Sequence, residues 1–301
     1  MLATLKNWTL PIAMVVGIFA HRPIAELFSV VPYLIFIMLF LTFASVSVHD
    51  LKPRPQHLWL LLIQATGAVL MYTVIISLGF EKPVAEAGMI LFITPTATAA
   101  AVVTLRLGGN AASVTAYTLM SNLLTAIAVP VFFPIIEPHE GLDFLGAFWH
   151  IMQRIFILLI LPFICAQVLR IISPKLHVRI TKYSFISFYL WACALTIVTA
   201  ITYYAVILSE ASVSTMCAIA LIALIACFIQ FFAGKTIGSR FNDRTACGQS
   251  LGQKNTTLAI WMANTYLNPV SSLGPGCYIL WQNIVNSYQL WKKGRNTAGE
   301  P

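Results

Sequence analysis

Apolar residues in this chain run on for fifteen to thirty positions at a time, interrupted by short polar stretches. An apolar run of about 20 residues is long enough to cross a bilayer as a helix, and a helix that is apolar all round is one that faces lipid or protein everywhere. Ten such runs can be drawn, at roughly 8–22, 29–48, 58–79, 85–107, 111–136, 144–172, 183–208, 212–233, 245–268 and 271–291. The first follows Lys6 and imitates a signal peptide. Its end reads Ile18-Phe19-Ala20, however, with a bulky residue where cleavage wants a small one, so it is read as the first membrane span.

The charges between the runs set an orientation. With the N-terminus inside, 14 of the 18 basic residues fall in inner loops and tails, among them Lys52, Arg106, Lys175, Lys235 and Lys292. The outer loops hold Arg22 and Lys82, while Arg154 and Lys254 lie within spans. The acids Glu26, Glu81, Glu86, Glu137, Glu140, Asp143 and Glu210 all fall on the outer side. This is the bias of a multi-pass protein of a plasma membrane, of the bacterial inner-membrane type, with both termini in the cytoplasm.

Composition agrees. Hydrophobic residues make up 59% and charged residues 9% of the chain, against about 25% charged in a soluble domain, and mean hydropathy is +0.84. The net charge of +8 is spread over short loops, so it follows the membrane rule and does not indicate a nucleic-acid partner. The six cysteines have no metal-ligand spacing and read as packing residues. Trp8, Trp59, Trp149, Trp281 and Trp291 stand near span ends or in polar context, where several suit interface anchors.

Ten spans divide into five and five. Because five is odd, a repeated second half enters the membrane the other way up, an arrangement common in secondary transporters. The expected fold is therefore an all-α integral membrane protein, a single membrane domain over 1–301. Its two inverted five-helix repeats cover about 8–136 and 144–293, with two crossing discontinuous helices. The fourth span of the first half is interrupted at Thr94-Pro95, and the fourth of the second half around Gly252 to Asn255. Proline removes a backbone donor and pushes the preceding residue out of the helical region. The small residues Thr96 to Ala101 then allow close approach of backbones. Half-helix N-termini meeting at such breaks suit an anion.

Lys254 stands in the second break, in the run Ser250-Leu251-Gly252-Gln253-Lys254-Asn255-Thr256-Thr257. An ionisable residue about ten positions from either end of a span is a functional-site candidate, although it could also snorkel or pair. Arg154, four residues after His150, suits either a snorkelling arginine or a functional one. Asn283 and Asn286 share a side of the tenth span, as helix glue or as the polar wall of a cavity; isolated Gln64 and Thr118 carry the same alternatives. Metalloprotease, nucleophile-elbow and phosphate-loop signatures are absent, as is a pair of membrane-buried acids, so neither enzyme nor primary pump is expected.

Two segments together resemble the bile acid:sodium symporter superfamily, with its apical bile-acid transporter-like fold. Pro95-Thr96-Ala97-Thr98-Ala99-Ala100-Ala101, continuing to Leu107-Gly108-Gly109-Asn110, is similar to the family's P-G-G-T-x-S-N stretch and G-N turn. Gly252-Gln253-Lys254-Asn255-Thr256-Thr257-Leu258-Ala259, with Trp281-Gln282-Asn283 beyond, is similar to its E-x-G-x-Q-N-x-x-L-A crossover and later W-H-N. The resemblance runs over nearly the whole chain. It implies a panel of spans 1, 2, 6 and 7, a core of spans 3–5 and 8–10, and an organic anion bound between them. Gln64, Thr118 and Asn255 match the family's pattern of sodium ligands. Ala100, Ala101, Val114, Ser250 and Lys254 depart from it, replacing oxygen donors with apolar groups, a hydroxyl and an ammonium.

The expected function is alternating-access transport of a small organic anion without family-type sodium coupling, and without a cofactor. Thr96, Thr98, Asn255 and Asn283 are the expected substrate contacts. Lys254, Ser250, Gln64 and Thr118 are the expected cation-site or coupling residues. Lys254 would serve as a tethered positive charge, either permanent or exchanging a proton. A sodium symporter with a residual site is the alternative reading, and a membrane-embedded receptor or enzyme a remote one.

Overall fold

The computed structural model describes residues 2–46, 52–138, 141–209 and 211–298. Glu140 and Glu210, assigned above to outer loops, lie outside the described residues. The described chain is helical, with no strand. Its helices are α1 (Leu2–Phe19), α2 (His21–Ala25), α3 (Val31–Ala44), α4 (Pro55–Ser77), α5 (Lys82–Ile93), α6 (Ala99–Arg106), α7 (Ala111–Ile136), α8 (Phe144–Leu159), α9 (Leu161–Ile172), α10 (Pro174–Thr181), α11 (Ile186–Leu208), α12 (Val213–Arg240), α13 (Arg244–Gly252), α14 (Thr256–Tyr266) and α15 (Leu273–Ala298). Five helical stretches are long and apolar enough to cross a membrane: His21–Ala44, Pro55–Ser77, Ala111–Ile136, Ile186–Leu208 and Val213–Arg240. The pair α8–α9 makes a sixth if its 41° bend is taken within one span. That bend interrupts the run read above as continuous over 144–172. Its cause is Pro162, which cannot donate to the preceding turn.

The chain divides into two compact units. One comprises residues 1–47, 126–212 and 257–273; the other comprises 48–125, 213–256 and 274–301. Of the ten apolar runs drawn from the sequence, the first, second, sixth and seventh fall in the first unit, and the third, fourth and eighth with most of the tenth in the second. The fifth and ninth runs are shared out between the units, at Ala126 and Thr257.

In the first unit α11 packs against α1, α2 and α3, and α3 against α9. Gly17 makes the α1 contact possible, because a Cβ there would stand 2.6 Å from the Thr196 carbonyl oxygen. The carbonyls that end α3 have cationic or imidazole partners: His177 Nε2 lies 2.8 Å from the Ala44 oxygen, and Arg170 donates to the Val46 oxygen at 3.0 Å. Side chains of this type suit the orphan carbonyls of a helix C-terminus.

In the second unit α12 presents two unlike faces. Leu221, Ile225, Phe228, Ile229 and Phe232 are exposed, Phe232 at 74%, while Ile219, Ala223, Ala226, Cys227, Gln230, Phe231, Gly234 and Gly238 are buried. Both sets recur at helical spacing. Apolar residues on the open side and small residues on the closed one are what a helix between lipid and protein requires. The small residues let α13 lie against α12. A Cβ on Gly234 would run into the carbonyl of Cys247, and one on Gly238 would come within 2.6 Å of the Asp243 carbonyl oxygen. Glu86, placed at the outer surface by the charge pattern, is instead fully buried in α5. Loop charge cannot distinguish an acid in a helix's first turns that faces solvent from one that faces inward.

Gly234→Val should therefore lower the thermal unfolding temperature of the detergent-solubilised protein. The loss should match the roughly 1–3 kcal/mol typical of overpacking, because the obstacle is backbone that cannot rotate away. Gly294→Ala, where a Cβ meets nothing within 4 Å, should leave it unchanged.

Candidate functional site

The helix breaks at 94–98 and 253–255 are built alike. Thr94 closes α5 with extended backbone (φ −61°, ψ 137°), as a residue before proline must, and Gln253 closes α13 in the same region (φ −98°, ψ 101°). The two extended pieces then pair as a single antiparallel bridge between Thr96 and Lys254. The Ala97 N–H donates to the Gln253 carbonyl and the Asn255 N–H to the Pro95 carbonyl, both at 2.9 Å. Each break thus satisfies part of the other's freed backbone. Alternation along extended chain puts Lys254 and Thr96 on one side of the pair, and Gln253, Asn255, Pro95 and Ala97 on the other.

The remaining carbonyls at the end of α5 are met one by one by side chains from elsewhere in the chain. Leu91 O accepts from Gln230 Nε2 of α12 at 3.3 Å. Phe92 O and Thr94 O accept from Lys254 Nζ at 3.0 and 2.9 Å. Ile93 O accepts from Gln64 Nε2 of α4 at 3.1 Å and from Thr125 Oγ1 of α7 at 2.7 Å. Lys254 is 1% exposed. Its ammonium lies against the carbonyl end of a helix, where the aligned peptide dipoles favour a cation, and its recorded partners are main-chain oxygens, not a carboxylate.

The end of α13 is treated similarly. Ser250 O accepts from the Thr96 hydroxyl, Gly252 O accepts from the Tyr278 hydroxyl at 2.8 Å, and the Lys254 N–H donates to Gln282 Oε1 at 3.0 Å. The Gln64 carboxamide is fully engaged, since its oxygen also accepts from Tyr117 and Ser121 at 2.9 and 2.8 Å. Ser121 Oγ in turn accepts from the Thr96 N–H at 3.3 Å.

Of the residues singled out from the sequence, Lys254, Thr96, Gln64, Ser250 and Asn255 are brought together at the paired breaks. Thr98 is half-buried just before α6. Thr118 is buried, but its hydroxyl donates to Val114 in its own helix. Asn283 is half-buried and donates to Ile279 O, also in its own helix. The buried face of α15 is instead Tyr278, Gln282 and Asn286, and Asn286 accepts from Gln249 Nε2 at 2.9 Å. A spacing of four in 278–282–286 marks that face in the sequence. Pairing Asn283 with Asn286 followed a spacing of three and so picked the margin of the face. Tyr117, Ser121 and Thr125 on α7 and the lone Gln230 on α12 were equally legible as polar positions in apolar runs, but had no named partner.

A second polar cluster gathers in the same unit around Asp243, just before α13. Its Oδ2 accepts from Ser113 Oγ at 2.6 Å and Gln56 Nε2 at 3.1 Å, and Arg54 Nη1 stands 3.6 Å away. The Arg54 N–H donates to His57 Nδ1, so His57 Nε2 carries the proton and donates to Ser113 Oγ at 2.9 Å. The serine hydroxyl is spent on the carboxylate, which suits a clamp rather than a nucleophile. This cluster fastens the starts of α4, α7 and α13 to one oxygen.

No family model matches the chain, and no curated protein matches it.

Asp243→Ala should destabilise the protein well beyond Arg54→Ala. The first leaves the Ser113 hydroxyl and Gln56 amide buried without their acceptor, at about 1–3 kcal/mol for each such group. The second removes a guanidinium side chain that is 42% exposed, where an ion pair contributes about 0–1 kcal/mol. Thermal unfolding of both variants in one detergent gives the order, and equal losses would contradict the clamp.

Proposed function

We propose that this chain is a secondary transporter of a small organic anion, of the kind found in the bile acid:sodium symporter superfamily, working by alternating access. On this reading ten spans form two inverted five-helix repeats in a plasma membrane with both termini cytoplasmic. The anion approaches the half-helix N-termini near Thr98 and Asn255. The observation that carries the reading is the antiparallel pairing of two interrupted helices, with the Lys254 ammonium on the carbonyl end of one of them. Interrupted helices with backbone freed for ion and substrate contacts are the mark of transporter binding sites. Irregular backbone is tolerated at membrane depth only where protein or a water-filled cavity satisfies it.

In this proposal Lys254 does the work of a bound alkali cation. Its tethered charge compensates the α5 carbonyls and needs no ion to be recruited at each cycle. Transport is therefore independent of sodium. Desolvation disfavours the ammonium while an approaching anion favours it, so the same residue also admits proton exchange during the cycle.

In proteoliposomes, uptake of labelled organic anions should continue when sodium is replaced by choline. Lys254→Gln, which keeps two N–H donors and loses the charge, should cut uptake at least tenfold. Strict sodium dependence of the unaltered protein would overturn the cation-surrogate role, and absence of uptake across a broad anion panel would overturn the transporter reading. Where sodium is dispensable, dependence on an imposed pH gradient identifies proton exchange at Lys254.

A further inference from the structure

In the second unit, the open apolar side of α12 ends at Phe228, Ile229 and Phe232. Lys235 follows on the next turn, half-buried, where that side meets the closed one. Its side chain is seated against α13. A Cβ on Gly248 would stand 2.7 Å from Lys235 Cγ and 3.4 Å from its Cε. The methylene stem therefore lies along α13 in the space that the glycine leaves, while the ammonium reaches past it. Two further cations repel that ammonium: Arg244 at the start of α13 and Lys292 near the end of α15. Both are exposed. Among the described residues, none of the three side chains has an ion pair or a hydrogen bond. Asp243, next to Arg244, is occupied by Ser113, Gln56 and Arg54.

Three helices thus bring like charges to one place, and self-repulsion of this kind opposes the compact state unless a counter-charge joins it. Guanidinium and ammonium groups only donate, and both suit phosphate oxygens, the first as a planar fork and the second as a point charge. The apolar strip leading up to Lys235 narrows the source of that phosphate. A soluble anion gains nothing from Phe228 and Phe232, whereas a lipid covers them with its acyl chains and sets its headgroup one turn further on. Basic sites between helices at the cytoplasmic side of a membrane hold headgroups in this way, and the proposed orientation puts these ends of α12, α13 and α15 on that side. We propose that Lys235, Arg244 and Lys292 together hold the phosphate of an anionic phospholipid whose acyl chains lie along Phe228 and Phe232. The inference needs the membrane character of the chain and not the transporter reading.

Native mass spectrometry of the purified full-length protein in an uncharged detergent tests the site. The probes are dioctanoyl phosphatidylglycerol and dioctanoyl phosphatidylcholine, which share their acyl chains and differ in headgroup charge. The anionic lipid should bind at least tenfold more tightly than the zwitterionic one. Lys235→Gln, Arg244→Gln and Lys292→Gln should each remove most of that preference and leave the weak binding of phosphatidylcholine unchanged. Lys175→Gln, a basic residue of α10 in the other unit, should keep the preference intact. Glycerol phosphate, which carries the phosphate without acyl chains, should fail to displace the anionic lipid at equal concentration. Equal binding of the two lipids, a preference that survives all three substitutions, or a loss as large in Lys175→Gln would overturn the proposal. Displacement by glycerol phosphate as effective as by the lipid itself would make this a site for a soluble anion and equally overturn it.

Discussion

A helix that stops inside an apolar interior leaves its last carbonyls without partners, and everything near Lys254 follows from that. Each unmet main-chain group in such surroundings costs several kcal/mol, so an interruption survives only where other groups have been placed to meet it. At α5 the oxygens of Leu91, Phe92, Ile93 and Thr94 are answered by Gln230, Lys254, Gln64 and Thr125, from four separate stretches of chain. The paired breaks satisfy one another in between. Polar residues that look scattered along the sequence are in this sense a single construction.

The charge belongs to the same construction. Gln230 and Gln64 show that neutral amides suffice for individual carbonyls. Phe92 and Thr94 instead share one ammonium, which bonds both oxygens and also answers the negative end of the α5 dipole. A lysine in an apolar setting is expensive, by about 2.5–3.5 kcal/mol on insertion scales. The two carbonyls are what make it tolerable there without a buried carboxylate. An ion held in this way by the chain's own side chain does not leave, and this difference from a bound metal ion gives the proposed transport cycle its sodium independence.

Much of this was legible in the residues. Pro95 and the polar run around Lys254 marked both breaks, because proline geometry and the cost of intramembrane polarity are local properties. What was not legible was partnership. Gln64 and Thr118 looked equivalent as lone polar positions, yet Gln64 is the hub of five groups and Thr118 bonds within its own helix. That distinction depends on rotation about the helix axis, which an all-apolar background does not record. Asn283 and Asn286 likewise looked alike, yet Asn286 bonds Gln249 of another helix while Asn283 bonds within its own. Glu86 and Asp243 escaped because charge at a helix end reads as surface charge. Only packing reveals that Glu86 faces inward and that Asp243 holds three helix starts.

The spacing of these partners along the chain has a consequence for biosynthesis. Gln64 precedes α5 and Thr125 follows it closely, so Ile93 can be satisfied as soon as α7 is made. The Phe92 carbonyl must wait for Lys254, which lies 162 residues further on. At about 5–20 residues per second, the ribosome needs roughly ten to thirty seconds to deliver it. During that interval the end of α5 is a half-finished joint that cannot rest in lipid. The nascent chain must keep it wet, or sheltered by the insertion machinery, until the second half arrives to close it.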